Sequence, residues 1–220
     1  MIKRAFSSAG GAGLAAATRV LALLRPAEKP LHPVGVTLVA RLHRWGSDTA
    51  TGVPWLDEPG RDDALVRLSR AVGLPAALPD IHGLALRVLR SEHRGDVLLA
   101  STGWGRVSRF VLTFGRRPES RPLTSLLPYR TPAGAVVLGA RAIGPETGPE
   151  GFELSWAPYD GDWHPFATLE LTGEPAADQE ISFDPVLNQV DGLAQYPVVV
   201  RLREPSYRRA RNSRQERPAR

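Results

Sequence analysis

Residues Pro33–His43 read PVGVTLVARLH, and the reading of the fold starts there. Val34, Val36, Leu38, Ala40 and Leu42 fall on one side of an extended chain, with Thr37, Arg41 and His43 on the other. A period of two is the signature of a strand with one buried face. Working outward, comparable short apolar stretches occur at Leu65–Ser69, Gly83–Leu89, Asp96–Ser101, Ala135–Ala142, Phe152–Ala157, Phe166–Leu171 and Tyr196–Leu202. Turn-rich segments such as GVPWLDEPG, GLPAALPD, GPETGPEG and YDGD separate them. Gly and Pro in these segments stop a strand and reverse the chain. SRFVLTFG suits either a further strand or a helix start, and TSLLPYR predicts a short helical excursion. Many strands and few long helices argue for a sandwich or a closed barrel.

The chain has 220 residues, 42% hydrophobic and 23% charged, an ordinary composition for a globular domain. It holds no cysteine, which removes disulfides, thiolate metal sites and a cysteine nucleophile. A cysteine-free chain suits a reducing compartment, so the expected location is cytoplasmic. Leu14, Ala17, Val20, Leu21 and Leu24 share a helical face that Pro26 ends, predicting an N-terminal helical arm over 1–30. Arg19 breaks that apolar stretch, so it suits neither a signal peptide nor a membrane span, and a helix lying on a membrane surface is the alternative. GGAG at Gly10–Gly13 follows no strand and is a poor dinucleotide fingerprint. The net charge is +5, but residues 201–220 alone carry eight arginines and two glutamates, so the rest of the chain is close to neutral. The expected organisation is a barrel domain over 31–207 and an Arg-rich, solvated tail over 208–220, with no clear nucleic-acid site.

Local motifs for chemistry are sparse. The histidines His32, His43, His82, His93 and His164 form none of the metal-ligand spacings, and there is no G-x-S-x-G elbow or phosphate-binding G-x-x-x-x-G-K loop. Three features remain. His32 stands at the mouth of the first strand. Arg67 and Ser69 project from one face of the second, being two residues apart. Asp80 and Gly83 make a turn into the third.

In this order the pieces resemble the catalase family. Its distal-histidine segment is similar to Glu28, Lys29, Pro30, Leu31, His32, Pro33, Val34 and Gly35. Its Val-Arg-Phe-Ser strand resembles Val66, Arg67, Leu68 and Ser69, and its Asp-x-x-Gly-x-Ala turn resembles Asp80, Ile81, His82, Gly83, Leu84 and Ala85. Phe183, Asp184 and Pro185 look like a further family motif near the end. The resemblance implies a mainly β fold, an eight-stranded antiparallel barrel, and haem as cofactor, with a peroxide or organic hydroperoxide as substrate. It further implies that His32 is the acid–base group, that Ser69 fixes its tautomer, and that Arg67 and Lys29 pair with haem propionates. Tyr207 would be the iron ligand, with Arg203 four residues earlier lowering its pKa. The segment REPSYRRAR has a second reading, as a family loop upstream of the ligand.

The chain departs from the family at Asp96–Ser101, where the distal asparagine is missing: Ala100 cannot hydrogen-bond a peroxide, and Ser101 would have to move to replace it. Trp104 is placed to pack nearby. Two other readings therefore stand: a haem-free barrel acting as a binding or interaction protein, and a hydrolase on the same barrel, since relatives of this look have been labelled phosphodiesterases. A homo-oligomer is left open.

Overall fold

The computed structural model describes residues 34–75, 77–90, 93–145, 148–177 and 181–201. The expected arm over 1–30 and tail from 208 lie outside the described residues, as do Lys29, His32, Arg203 and Tyr207.

Among the described residues ten strands follow one another: β1 (Val34–Arg44), β2 (Gly60–Arg70), β3 (His82–Leu89), β4 (Arg94–Ser101), β5 (Leu123–Thr124), β6 (Tyr129–Thr131), β7 (Gly134–Ile143), β8 (Gly151–Pro158), β9 (His164–Pro175) and β10 (Ala194–Gln195). All pairings are antiparallel. The order β7-β5-β4-β3-β2-β1-β9-β8 returns to β7 through the β7–β8 pairing, which closes an eight-stranded barrel. β6 pairs with β7 beyond β5, and β10 pairs with β6.

Alternation along each strand fills the interior. Ala40 and Leu42, Ala64 and Val66, Leu84, Leu86 and Val88, Val97 and Leu99, Leu138 and Ala140, and Phe152, Leu154 and Trp156 are buried in one cluster. The upper part of β1 runs past this core, so Val36 is 43% exposed although it continues the same alternation. A single-turn helix, α1 (Pro54–Asp57), plugs the lower end with buried Trp55 and Leu56, and Trp55 meets Phe166 edge-on at 5.2 Å. Arg44 holds that plug. Its side chain donates to the carbonyls of Trp55 and Glu58 and to Asp62 Oδ2 at 2.8 Å.

Two expected elements take other forms. TSLLPYR is not helical: it contributes β5, a turn with Leu126 at φ 59°, and the start of β6. The Ser125 hydroxyl accepts the Leu138 N–H and donates to the Leu127 carbonyl, which ties the segment to β7 in place of a helical turn. Of Tyr196–Leu202, residues 197–201 are helical, not a strand. The run of valines has strand propensity, but Val199 is buried against Leu127, and such packing outweighs local preference. The strand missing from the expected eight is supplied by β5.

Two buried carboxylates fasten loops to the barrel. Asp96 receives Arg87 through two bonds of 2.7 and 2.6 Å, and its Oδ2 also accepts the Asp184 N–H and the Asn188 amide. Phe183 lies under the Arg87 guanidinium at 5.2 Å. The Phe183-Asp184-Pro185 segment is thereby held on the outer face of β3 and β4. At the upper end, Asp80 accepts backbone N–H groups from Val72, Gly73, Leu74 and Ile81. Burial alone would raise its pKa, but these four bonds together outweigh burial and hold it below the ordinary value. Asp80 also pairs its backbone with Gly115, joining loop 71–79 to the long excursion between β4 and β5.

Removing Asp96 takes from the buried Arg87 the carboxylate that it pairs with. Asp96→Ala is expected to destabilise the fold by about 3–5 kcal/mol, read by urea unfolding. For Asp80 the folded carboxyl titrates below the unfolded one, so its contribution is complete above the unfolded value of 3.8 and is lost as pH falls through the lower folded pKa. Asp80→Asn should therefore lower stability at pH 7 by about 2–3 kcal/mol, and should flatten the acid limb of the stability–pH curve below pH 4 relative to the parent.

Candidate functional site

The register of the upper barrel puts a row of small side chains on one outer face. Gly35 on β1 is opposite Ser69 on β2, Ser69 is opposite Gly83 on β3, and Gly83 is opposite Ala100 on β4. The next row down is Thr37, Arg67, Ala85 and Leu98. Directly opposed residues share a face, so these eight form one shelf, back to back with the core leucines.

Arg67 and Ser69 are thus brought together on the shelf. Gly35 is what permits their approach: a Cβ there would stand 3.0 Å from Arg67 Nε and from Ser69 Cβ, and 2.7 Å from the Leu68 carbonyl oxygen. Ser69 is buried, and its hydroxyl lies 3.5 Å from the Gly83 carbonyl oxygen. The Arg87–Asp96 pair and the 181–193 segment bound the shelf below.

Ser101 does not serve as a substitute for the missing asparagine. It projects to the inner side, fully buried, where its hydroxyl donates to the Thr113 carbonyl at 2.6 Å and accepts the His82 N–H at 3.1 Å. On β4 it is Ala100 that faces the shelf, in the row of Gly35, Ser69 and Gly83. Trp104 is also elsewhere. It stacks on Trp163 with ring centroids 4.0 Å apart, over Gly139 on the β7–β8 wall. Arg141 and Arg109 lie over these two rings at 5.1 and 4.5 Å. Arg109 is buried, and that burial lowers its pKa, with Arg106 adding repulsion and Asp162 and Asp160 opposing both. Its guanidinium ties the excursion to the 158–161 turn through the Gly161 carbonyl at 2.8 Å. Tyr159, beside it, has its hydroxyl pKa raised by burial and by Asp160.

No described histidine stands on the shelf. His82 projects inward with Nε2 3.0 Å from the Gly115 carbonyl oxygen, His43 pairs with Glu170 at 3.4 Å lower on the barrel, and His164 stacks on Trp156. Among the described residues no three His, Asp or Glu side chains gather to hold a metal ion, and no helix is long and apolar enough to cross a membrane. The feature that the strand pattern did not disclose is the shelf itself. Glycine and alanine read locally as weak strand formers, and only the register of β1 to β4 aligns them.

Among solved structures, the chain is similar to a bacterial catalase, with a TM-score of 0.60 and 15% identity over 86% of this chain and 57% of that one. It is similar also to catalase A from Saccharomyces cerevisiae, with a TM-score of 0.59 and 12% identity over 84% of this chain and 61% of that one. It therefore spans about three-fifths of the length of either catalase. No family model and no curated protein matches it by sequence. Likeness at this identity concerns the course of the backbone, and the chain has a catalase-like fold.

Proposed function

We propose that the chain binds haem against the shelf and acts on a peroxide or organic hydroperoxide. The observation that carries this reading is the shelf: two rows of mostly small side chains across β1–β4, with Arg67 and Ser69 beside Gly35, on a catalase-like barrel. A flat macrocycle needs a wall without bulky side chains, and a propionate needs a fixed cation. The residues present fit the group on that side.

In this reading Arg67 and Lys29 hold the propionates by charge-assisted bonds. Tyr207 ligates the iron, and Arg203 favours its deprotonated form. The bound iron supplies the redox chemistry of peroxide cleavage. His32, two residues before the first residue of β1, takes the proton from one peroxide oxygen and returns it to the other. Ser69 fixes which ring nitrogen carries that proton. The side chain of Ala100 offers no hydrogen bond to a peroxide, so His32 is left as the main polar contact for the substrate.

That same alanine favours a second reading, a haem-free barrel that binds a ligand or partner without turnover. Reconstitution of the full chain with haem separates the two. A Soret band that Tyr207→Phe weakens is the expected result. His32→Ala should keep the band while reducing peroxide consumption at least a hundredfold, the range for loss of an acid–base group. A chain that takes up no haem at any ratio would leave the haem-free reading.

A further inference from the structure

We propose that the end of the barrel made by loop 71–79 and the 114–121 turn is a docking surface for an anionic lipid bilayer. The proposal goes beyond the haem reading and does not depend on it. Val72, Leu78 and Phe114 are 52%, 48% and 54% exposed, and they gather at this one end, where apolar side chains grouped together mark an interaction site. They belong to one unit. Asp80 holds the N–H groups of Val72, Gly73 and Leu74, and its own backbone exchanges two hydrogen bonds with Gly115, the neighbour of Phe114. Arg121 donates to the Phe114 carbonyl at 3.4 Å, and Gly115 packs close to the Arg121 side chain. Arg116, Arg117 and Arg121 are all exposed there. The acids of residues 71–80 and 114–121 are Asp80, which is fully buried, and Glu119, which lies 4.0 Å from Arg117. The surface is apolar and basic together.

Charge selects the occupant. Residues 1–33 carry Lys3, Arg4, Arg19, Arg25 and Lys29 against Glu28, and residues 202–220 carry seven arginines against Glu204 and Glu216. Either terminal segment would set cations against cations. A second copy meeting this end about a two-fold axis would do the same. An anionic bilayer complements this surface: phosphates face the exposed guanidinium groups and, just beneath them, hydrocarbon faces Phe114, Val72 and Leu78. Val72 and Leu78 lie on the loop after β2 and Phe114 beside the Gly115 bridge, all exposed, which suits entry into a soft interface.

The test uses the full chain with vesicles of phosphatidylglycerol and phosphatidylcholine in equal parts, against phosphatidylcholine alone. Binding to the anionic vesicles alone, weakening with salt, is expected. Because the basic termini add their own attraction, the variants decide. Arg116→Ser with Arg117→Ser should lower partitioning about twenty-fivefold, at roughly fivefold per arginine. Phe114→Trp should acquire quenching by lipids brominated on their acyl chains that the parent's tryptophans do not show. Both changes lie on exposed positions, and circular dichroism checks that the fold is kept. Vesicle binding equal in parent and arginine variant assigns all of it to the termini and overturns the proposal. So does an unquenched Trp at 114, or an acidic protein bound through Arg116 and Arg117 while vesicles are ignored.

Discussion

A closed barrel of eight strands has an interior only wide enough for its own side chains. Here that space is taken by Leu42, Val66, Leu86, Leu99, Leu138, Phe152 and Leu154, with Trp55 and Phe166 closing the lower end. A cavity of about 10 Å3 lies among Trp55, Leu86, Val97 and Phe166. That is the space of one water at most. Any larger ligand is therefore pushed to the outer face or to an end. Because inward positions are committed to packing, outward positions on the same strands are where residue choice is free to serve chemistry. The shelf on β1–β4 uses that freedom: its opposite side is core, and its own side is small.

What keeps the shelf in shape is the pair of buried carboxylates. Asp96 and Arg87 are cross-strand neighbours on the outer face, and each also bonds the 181–188 segment. A buried ion pair returns little net stability over an apolar pair, since desolvation offsets the Coulomb gain. Its value here is positional: it fixes where the last part of the chain crosses β3 and β4, and so sets the lower limit of the shelf. Asp80 does the same at the upper limit, where four backbone donors converge on one carboxylate.

Seven of the strands were legible because they alternate over five or more residues and lie between Gly and Pro turns. β5 was not, being two residues long and followed by Leu126 in a left-handed conformation that no leucine signals in sequence. The valine run after Tyr196 has the propensity of a strand, and only its contact with Leu127, far away in the chain, favours helical backbone. The order of short motifs pointed to the catalase-like barrel, because motif order follows strand order. Of the candidate site, the common face of Arg67 and Ser69 followed from spacing alone. The inward turn of Ser101 did not, since it depends on two partners, His82 and Thr113, that the spacing around Ser101 does not identify.

The shelf and the basic, apolar end are mechanically one piece. Loop 71–79 leaves β2 just after Ser69 and enters β3 just before Gly83, both shelf residues. Asp80 pins that loop from inside, with Arg70 at 3.4 Å from its carboxylate and donating to the Leu78 carbonyl at 2.8 Å. Leu78 and Phe114 are tied to the strand ends that carry Ser69 and Gly83 through the Asp80 carboxylate, the Asp80–Gly115 bridge, and the His82 contact with the Gly115 carbonyl. Packed elements of this kind transmit displacement and do not absorb it. Substitutions at Asp80 should therefore disturb the shelf and the end surface together, whereas substitutions at Arg116 or Arg117, on exposed turns past Gly115, change surface charge and leave the shelf geometry intact. The two can be probed separately because Asp80 bonds both segments, whereas Arg116 and Arg117 are exposed on the turn past Gly115.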